Sequence, residues 1–212
     1  MEIDIIFDTV CPWCFIGKKR LENALASRPN ISVKPNWKPF LLNPEMPPQG
    51  IDRTAYLIKK FGSEARINHI YGAIGEAGQS VEIDFAFERI NRTPNSVNSH
   101  RLVRFAEQRE KSGDVVEALF VEFFINGRDI GGIDVLVDIG EAQGLNADDL
   151  RGYLESGDDE QRVYDENIQA HRLGINGVPS YVFNEKFLIS GAQDPMVLSR
   201  MLDVAAATTK MT

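Results

Sequence analysis

The stretch Cys11-Pro12-Trp13-Cys14 contains the only two cysteines of this 212-residue chain. It lies between the apolar, strand-like residues 2–8 and a run from Cys14 to Ser27 in which apolar residues recur at helical spacing. Two cysteines three positions apart at the start of a helix can close into a small disulfide ring and reopen. The stretch therefore predicts thiol–disulfide exchange at a junction between a strand and a helix.

The two sulfurs are expected to have different roles. An attacking thiolate forms a mixed disulfide with its partner, and a second thiol within reach must then release it. The free amides and the dipole of a helix N-terminus stabilise negative charge, so we expect Cys11, exposed at the first turn, to ionise readily. Cys14 lies one turn further in and should be shielded. Cys11 is therefore the predicted attacking thiol and Cys14 the predicted resolving thiol.

Composition and charge argue against several classes of function. The chain has 31 acidic and 23 basic residues, a net charge of −8, whereas nucleic-acid binding depends on concentrated lysine and arginine. The one dense basic run, Lys18-Lys19-Arg20, is predicted to be a solvated helix face. No stretch approaches the roughly 20 consecutive apolar residues of a membrane span, and Met1-Glu2 does not resemble the start of a signal peptide. We expect a cytoplasmic protein without nucleic-acid or membrane partners.

No resident cofactor or metal is predicted. In a reducing compartment a close cysteine pair is more often catalytic or metal-binding than structural. A structural zinc site needs about four ligands, but the chain has no second cysteine pair. Its histidines, His69, His100 and His171, are too scattered to complete such a site.

Hydrophobic periodicity divides the chain into three parts. Residues 31–40 are strand-like and complete a β-α-β unit with the first strand and helix. The next hundred residues have helical periodicity almost throughout. The predicted helices of this middle part are 54–61, 64–79, 97–111, 115–126, 134–143 and 147–155.

Strand signals return after one more long helix, predicted to begin near residues 156–159 and to end at Leu173-Gly174. Residues 180–183 and 186–189 then form a predicted hairpin around the turn Asn184-Glu185. A final helix is predicted from Asp194-Pro195 to Ala207.

Several further motifs agree with this order of elements. They are Cys11 to Gly17, Phe40 to Pro48, Arg92 to Asn95, His100 to Leu102, Gly127 to Ile130, Gly174 to Pro179 and Ser190 to Gln193. With them the chain resembles the DsbA-like branch of the thioredoxin superfamily, and within it the FrnE-type predicted dithiol-disulfide isomerases. The resemblance implies an α/β thioredoxin fold with a large all-helical insertion. It places the thioredoxin-like domain at 1–43 and 158–212 and the helical insertion at 44–157.

The resemblance also implies which residues surround the cysteines. The proline that faces the cysteine pair in this superfamily is cis, and Pro179 after Val178 occupies its place. Periplasmic DsbA oxidants carry a histidine where this chain has Trp13, so a less oxidising disulfide is expected here. Trp13 is predicted to anchor a partner, with a cap over the helix end as the alternative. The implied substrate-binding residues are Pro12, Trp13, Val178, Pro179, Asn95 and His100.

Three polar residues have two interpretations each. Asp8 could tune the ionisation of a cysteine thiol, whereas the favoured alternative is that it ends the strand and caps the helix. Asn95 and His100 match positions that line the cleft in related proteins, where they could touch substrate or glutathione. A polar contact between helices is an equal alternative for each of them.

The predicted function is that of a thiol–disulfide oxidoreductase or isomerase acting on protein or small-molecule thiols and disulfides. It needs no cofactor, with glutathione as a candidate co-substrate. The rival is a glutathione-dependent enzyme of the 2-hydroxychromene-2-carboxylate isomerase or kappa glutathione transferase type, members of the same branch that generally carry serine where Cys11 stands. A binding module with a vestigial cysteine pair is the third alternative.

Overall fold

The computed structural model describes residues 1–209 and contains a four-stranded sheet. Its strands are β1 (Glu2–Phe7), β2 (Lys34–Pro39), β5 (Ser180–Phe183) and β6 (Phe187–Ser190). Their order across the sheet is β2-β1-β5-β6. Strand β1 pairs parallel with β2 and antiparallel with β5, which pairs antiparallel with β6. The parallel pair needs a crossover, and a helix after β1 provides it. A separate pair of very short antiparallel strands consists of β3 (Ile51–Asp52) and β4 (Arg92–Thr93).

The helices follow the predicted order. They are α1 (Pro12–Ala26), α2 (Arg53–Phe61), α3 (Glu64–Gln79), α4 (Val97–Glu107), α5 (Ser112–Phe124), α6 (Ile133–Ala142), α7 (Ala147–Ser156), α8 (Glu160–Arg172) and α9 (Pro195–Thr209). The predicted α/β order with a helical insertion is therefore confirmed. Helix α4 ends four residues before the predicted Lys111, because the chain turns at Glu110, which has a φ of 58°.

The central sheet is covered on both faces, which explains why β1 has buried apolar residues on both of its faces. On one face Ile3, Ile5 and Tyr181 pack with residues of α1 and α9. On the other face Ile6 and the half-buried Val182 pack with Ala170 of α8. Alternation along β1 thus sends adjacent isoleucines into two different clusters.

Helix α1 also joins the sheet to the helical part of the chain. Phe15 stacks on Phe120 of α5 with ring centroids 5.1 Å apart, and both belong to one large core cluster. The division into 1–43 plus 158–212 and 44–157 stays a prediction, and residues 210–212 of it lie outside the described residues. Across residues 1–209, the helices are too short or too polar to cross a membrane.

The prediction that Lys18-Lys19-Arg20 is a solvated helix face is wrong. Lys18 is 8% exposed and forms ion pairs with Glu22 of its own helix and with Glu117 of α5. Arg20 donates a hydrogen bond to the carbonyl of Ala192. Because α5 and the segment before α9 lie against α1, these cations hold elements together and do not form an open basic surface.

Candidate active site

The cysteine pair lies where β1 passes into α1. Cys11 is the N-cap residue of α1, with extended backbone angles, and Pro12 is the first helical residue. The Cys11 amide donates to the Asp8 carbonyl at 3.1 Å, and the Cys14 amide donates to the Cys11 carbonyl at 3.0 Å. These bonds fix the turn between strand and helix. Both cysteines are free thiols.

Cys11 is less exposed than predicted. Only 5% of Cys11 is accessible, against 2% of Cys14, while the neighbouring Trp13 is 37% exposed. The segment before β5 covers the first sulfur, since the Cys11 thiol donates to the carbonyl of Val178 with Sγ and O 3.7 Å apart. The pair therefore lies just beneath the surface, with an exposed indole beside it.

The resemblance implied a cis bond at Val178–Pro179, and this bond is cis. Pro179 is buried and Val178 is half-buried. The sequence motif at 177–179 and the cysteine motif at 11–14 are thus adjacent in space, although more than 160 residues separate Cys11 from Val178 in the chain.

The second sulfur is held in its protonated form. Burial raises the pKa of the Cys14 thiol well above its ordinary value. A hydrogen bond and charge from Cys11, and the negative charge of Asp8, raise this pKa further, while a hydrogen bond with the Asp8 backbone lowers it. A thiol of this kind is a poor first attacker, which suits the resolving role predicted for Cys14.

The prediction that Asp8 caps α1 is wrong. The cap position belongs to Cys11, which has no side-chain capping bond, and the Asp8 carboxylate is fully buried. Its Oδ1 accepts from the Val10 amide at 3.3 Å and its Oδ2 accepts from the Leu42 amide at 2.8 Å. Asp8 thus ties the loop after β2 to the turn before Cys11, and it keeps a negative charge near Cys14.

His100 is buried against Asp8. Its Nε2 lies 3.5 Å from Asp8 Oδ1, and its ring meets the Phe7 ring edge-on with centroids 5.0 Å apart. No group within residues 1–209 makes a hydrogen bond of good geometry with this nitrogen. The neighbouring hydroxyls of Thr9 and Ser99, 2.7 Å apart, join the same two segments. The structure shows His100 in a polar contact between elements, and a role toward substrate or glutathione stays a prediction.

Asn95 also makes local contacts. Its side-chain amide donates to the Met46 carbonyl at 2.6 Å and accepts from the Val97 amide at 2.9 Å. Both polar atoms of its side chain are therefore engaged, one with the loop before β3 and one with the first residue of α4. The structure does not bring Asn95 into a hydrogen bond with either cysteine.

A family model described as a DSBA-like thioredoxin domain matches residues 2–203 of the chain. This chain belongs to that family. The predicted thioredoxin fold with a helical insertion is thereby confirmed. The DsbA-like family acts on thiols or disulfides, and Cys11 and Cys14 of this chain have CxxC spacing.

Two similar proteins match this chain over nearly its whole length. The uncharacterized protein YwbO of Bacillus subtilis is 26% identical over 209 residues, which are 95% of this chain and 96% of that protein. The crystal structure of a probable DsbA oxidoreductase from Streptomyces coelicolor is 25% identical, with a TM-score of 0.89 over 98% of this chain and 90% of that one.

For two structures of lower sequence identity, the similarity to this chain concerns only the fold. A 2-hydroxychromene-2-carboxylate isomerase is 14% identical with a TM-score of 0.75, and each chain is covered in full. The cytosolic disulfide reductase DsbM from Pseudomonas aeruginosa, solved with GSH, is 16% identical with a TM-score of 0.67 over 100% of this chain and 98% of that one. The fold therefore occurs in proteins named as a redox enzyme and as an isomerase.

Sequence reasoning missed two residues of this DsbA-like site. A Cβ atom added to Gly17 would lie 2.3 Å from Tyr181 Oη and 2.7 Å from Pro179 Cγ, so glycine allows α1 to approach β5 and the segment before it. A glycine within a helical pattern was the available signal for Gly17. Tyr181 has the pattern of an ordinary inward-facing strand residue, and nothing in the sequence distinguishes it.

Within the part of the chain that the structure describes, no three His, Cys, Asp or Glu side chains are grouped so that they could hold a metal ion.

Replacing Asp8 with asparagine should make Cys14 easier to ionise. The carboxylate charge is one of the causes that raise the pKa of Cys14, so the neutral amide should lower this pKa. The measurement is a pH titration of thiolate absorbance in a Cys11→Ser background, where Cys14 is the single thiol. Asp4→Asn, on the preceding strand β1, is the control and should leave the titration unchanged. An unchanged or higher pKa in the Asp8 variant would contradict the prediction.

Proposed function

We propose that this protein is a thiol–disulfide oxidoreductase in which Cys11 attacks and Cys14 resolves. The observation that carries the proposal is the position of Cys11 Sγ at the N-terminus of α1, in contact with the Val178 carbonyl before Pro179. A helix N-terminus stabilises the attacking thiolate, and the raised pKa of Cys14 reserves that thiol for the second step. Membership of the FrnE-type subfamily belongs to the same proposal and rests on the sequence motifs.

The reaction balances with two thiols and one disulfide. The Cys11 thiolate attacks a substrate disulfide, a bond forms between Cys11 and one substrate sulfur, and the other substrate sulfur leaves. The Cys14 thiolate then attacks Cys11 Sγ, the intramolecular disulfide forms, and the second substrate sulfur leaves. Two electrons pass to the substrate, and the protons lost by the two cysteines are replaced on its two sulfurs. The reverse sequence oxidises a dithiol, and an incomplete sequence reshuffles disulfides.

We infer that the substrate lies across Trp13, Pro12 and Val178. Trp13 offers exposed aromatic area beside the sulfur, and Pro12 is half-buried next to it. The backbone of Val178 can pair with an extended partner segment as an added strand. Such a contact would displace the Val178 carbonyl from the Cys11 thiol and release that sulfur for attack.

Trapping experiments test this proposal. Cys14→Ala should accumulate a mixed disulfide between Cys11 and an oxidised peptide, because the resolving thiol is missing, and mass spectrometry should detect it. The wild-type protein should release the same adduct and form the Cys11–Cys14 disulfide. Cys11→Ser is the matched variant and should form no rapid adduct. Absence of an adduct in Cys14→Ala would refute the proposal, and a rapid adduct in Cys11→Ser would reverse the two roles.

Glutathione is proposed as a co-substrate of the cysteine pair. It would reduce the Cys11–Cys14 disulfide or, in its oxidised form, accept electrons from the two thiols. Support comes from the similarly folded DsbM, which was solved with GSH and is named as cytosolic. On the same ground we propose a cytoplasmic location. A redox titration against glutathione would give the direction in which the pair runs.

A glutathione-dependent isomerase is the second candidate, because a 2-hydroxychromene-2-carboxylate isomerase shares the fold over its full length. In that case serine should replace Cys11 without loss of isomerisation. Loss of all activity in Cys11→Ser, together with the trapped adduct, would favour the redox enzyme. A binding module with an unreactive pair would give neither result.

A further inference from the structure

Tyr181 carries a buried hydroxyl without an evident structural use. The residue is 0% exposed and lies on β5, where it pairs with Ile5 of β1 and Ile189 of β6. Its Oη has no hydrogen-bond partner among residues 1–209. Buried polar atoms are nearly always paired, so an unpaired phenol calls for an explanation such as a role in chemistry.

The hydroxyl lies beside the cysteine pair. It occupies the space that a side chain at position 17 would fill, 2.3 Å from the Cβ that Gly17 lacks. Residues three apart on a helix share a face, and every Cα–Cβ bond tilts toward the helix N-terminus. Cys14 is therefore on the same face of α1 that the Tyr181 hydroxyl approaches, and negative charge on Cys14 acts on this hydroxyl.

Charge and burial keep this phenol protonated. Burial raises the pKa of Tyr181, and negative charge on Cys14 and on Cys11 raises it further, while Arg20 acts in the opposite direction. A phenol that holds its proton can donate a hydrogen bond to an anion. The two sulfurs are the anionic groups that act on it.

We propose that the Tyr181 hydroxyl donates a hydrogen bond to Cys14 Sγ when that sulfur is ionised for the resolving step. The inference rests on the proposed function. In the mixed disulfide, Cys11 Sγ carries no proton and cannot donate to a Cys14 anion. Asp8, the other charged group near Cys14, opposes the anion. Tyr181 can donate to this anion without breaking another hydrogen bond, because its Oη has no partner among residues 1–209.

The test variant is Tyr181→Phe, which removes only the unpaired oxygen. In a Cys11→Ser background, the midpoint of the Cys14 thiolate titration should rise by about one pH unit, which corresponds to one lost charge-assisted hydrogen bond. With Cys11 present, release of a preformed mixed disulfide at constant pH should slow by about threefold, because the tenfold loss of thiolate is partly offset by the higher nucleophilicity of the more basic thiolate. The control is Tyr153→Phe on α7, which removes a hydroxyl that donates a hydrogen bond to Asp159. It should change neither the titration midpoint nor the release rate.

First-step kinetics separate the two proposals. In Cys14→Ala, adding Tyr181→Phe should leave the rate of adduct formation at Cys11 unchanged. If no adduct forms even without the tyrosine change, the proposed function fails. If the adduct forms but Tyr181→Phe alters neither the Cys14 titration nor the release rate, Tyr181 has a packing role only. Unfolding curves of both tyrosine variants establish that the measured proteins are folded.

Discussion

Gly17→Ala should slow both steps of disulfide exchange by about 10- to 100-fold, because reacting groups misplaced by about 1 Å lose rate of this order. The new methyl group would lie 2.7 Å from Pro179 Cγ and 2.3 Å from Tyr181 Oη. The proline ring is fixed to the backbone and the tyrosine is held in a central strand, so neither can easily move away. Helix α1 must shift instead, and the contact between Cys11 and Val178 opens. Stopped-flow measurement of both steps checks the prediction.

A second glycine provides the matched control. Gly72 lies within α3, and a Cβ added there would meet nothing within 4 Å. Gly72→Ala should therefore leave exchange unchanged and stabilise the fold by up to about 1 kcal/mol. The double variant Gly17→Ala with Tyr181→Phe relieves one of the two close contacts. Its free energy of unfolding should therefore be higher than that of Gly17→Ala alone. Wild-type exchange rates in Gly17→Ala would show that the approach of α1 to Pro179 is not needed.

Arg101→Met should destabilise the protein by roughly 3 kcal/mol or more, since it removes a donor from the buried Leu154 carbonyl and from two partly buried carbonyls. Arg101 is 1% exposed and donates to the carbonyls of Asp158 and Leu154 at 2.7 and 2.9 Å, and to that of Tyr153. Tyr153 and Leu154 belong to the last turn of α7, whose carbonyls have no partner within the helix. The guanidinium therefore caps the C-terminal end of α7 and joins this helix to α4. The negative end of the helix dipole stabilises its positive charge. Urea unfolding gives the change.

Arg109 tests whether burial of the arginine matters. It is exposed and donates to the Phe105 carbonyl near the end of α4. Arg109→Met should change the free energy of unfolding by no more than about 0.5 kcal/mol. Arg101→Lys should be intermediate, because the ammonium keeps the charge but not the planar set of donors. Equal stability of Arg101→Met and the wild type would contradict the assignment.

Local signals were sufficient where an element is defined by its own residues. Helix α3 has its predicted bounds of 64 and 79, and the side chain of Ser63 caps it by accepting from the Arg66 amide. The hairpin turns at Asn184-Glu185 as predicted, with both residues at positive φ. Strands β3 and β4 were not predicted, because two residues cannot show a periodic pattern.

The site was predictable to the extent that it depends on neighbours in sequence. The spacing of Cys11 and Cys14 and the helix start at Pro12 follow from residues 11–17, and the resemblance added Pro179. The burial of Cys11 was not predictable, since Val178 covers it from a distant part of the chain. Asp8 was expected to bond to the nearby helix, but its carboxylate instead binds the amide of Leu42, which follows a different strand.

Residues close together in sequence are enough to place the two cysteines at a strand-to-helix junction, where the proposed exchange reaction has the local geometry that it needs. Tertiary structure alone decided how the two sulfurs differ. Burial and the charge of Asp8 act on Cys14, and the hydroxyl of Tyr181 reaches α1 through a gap that Gly17 leaves. These effects depend on distance in space and on exclusion of water, and neither quantity is present in the order of residues along a chain.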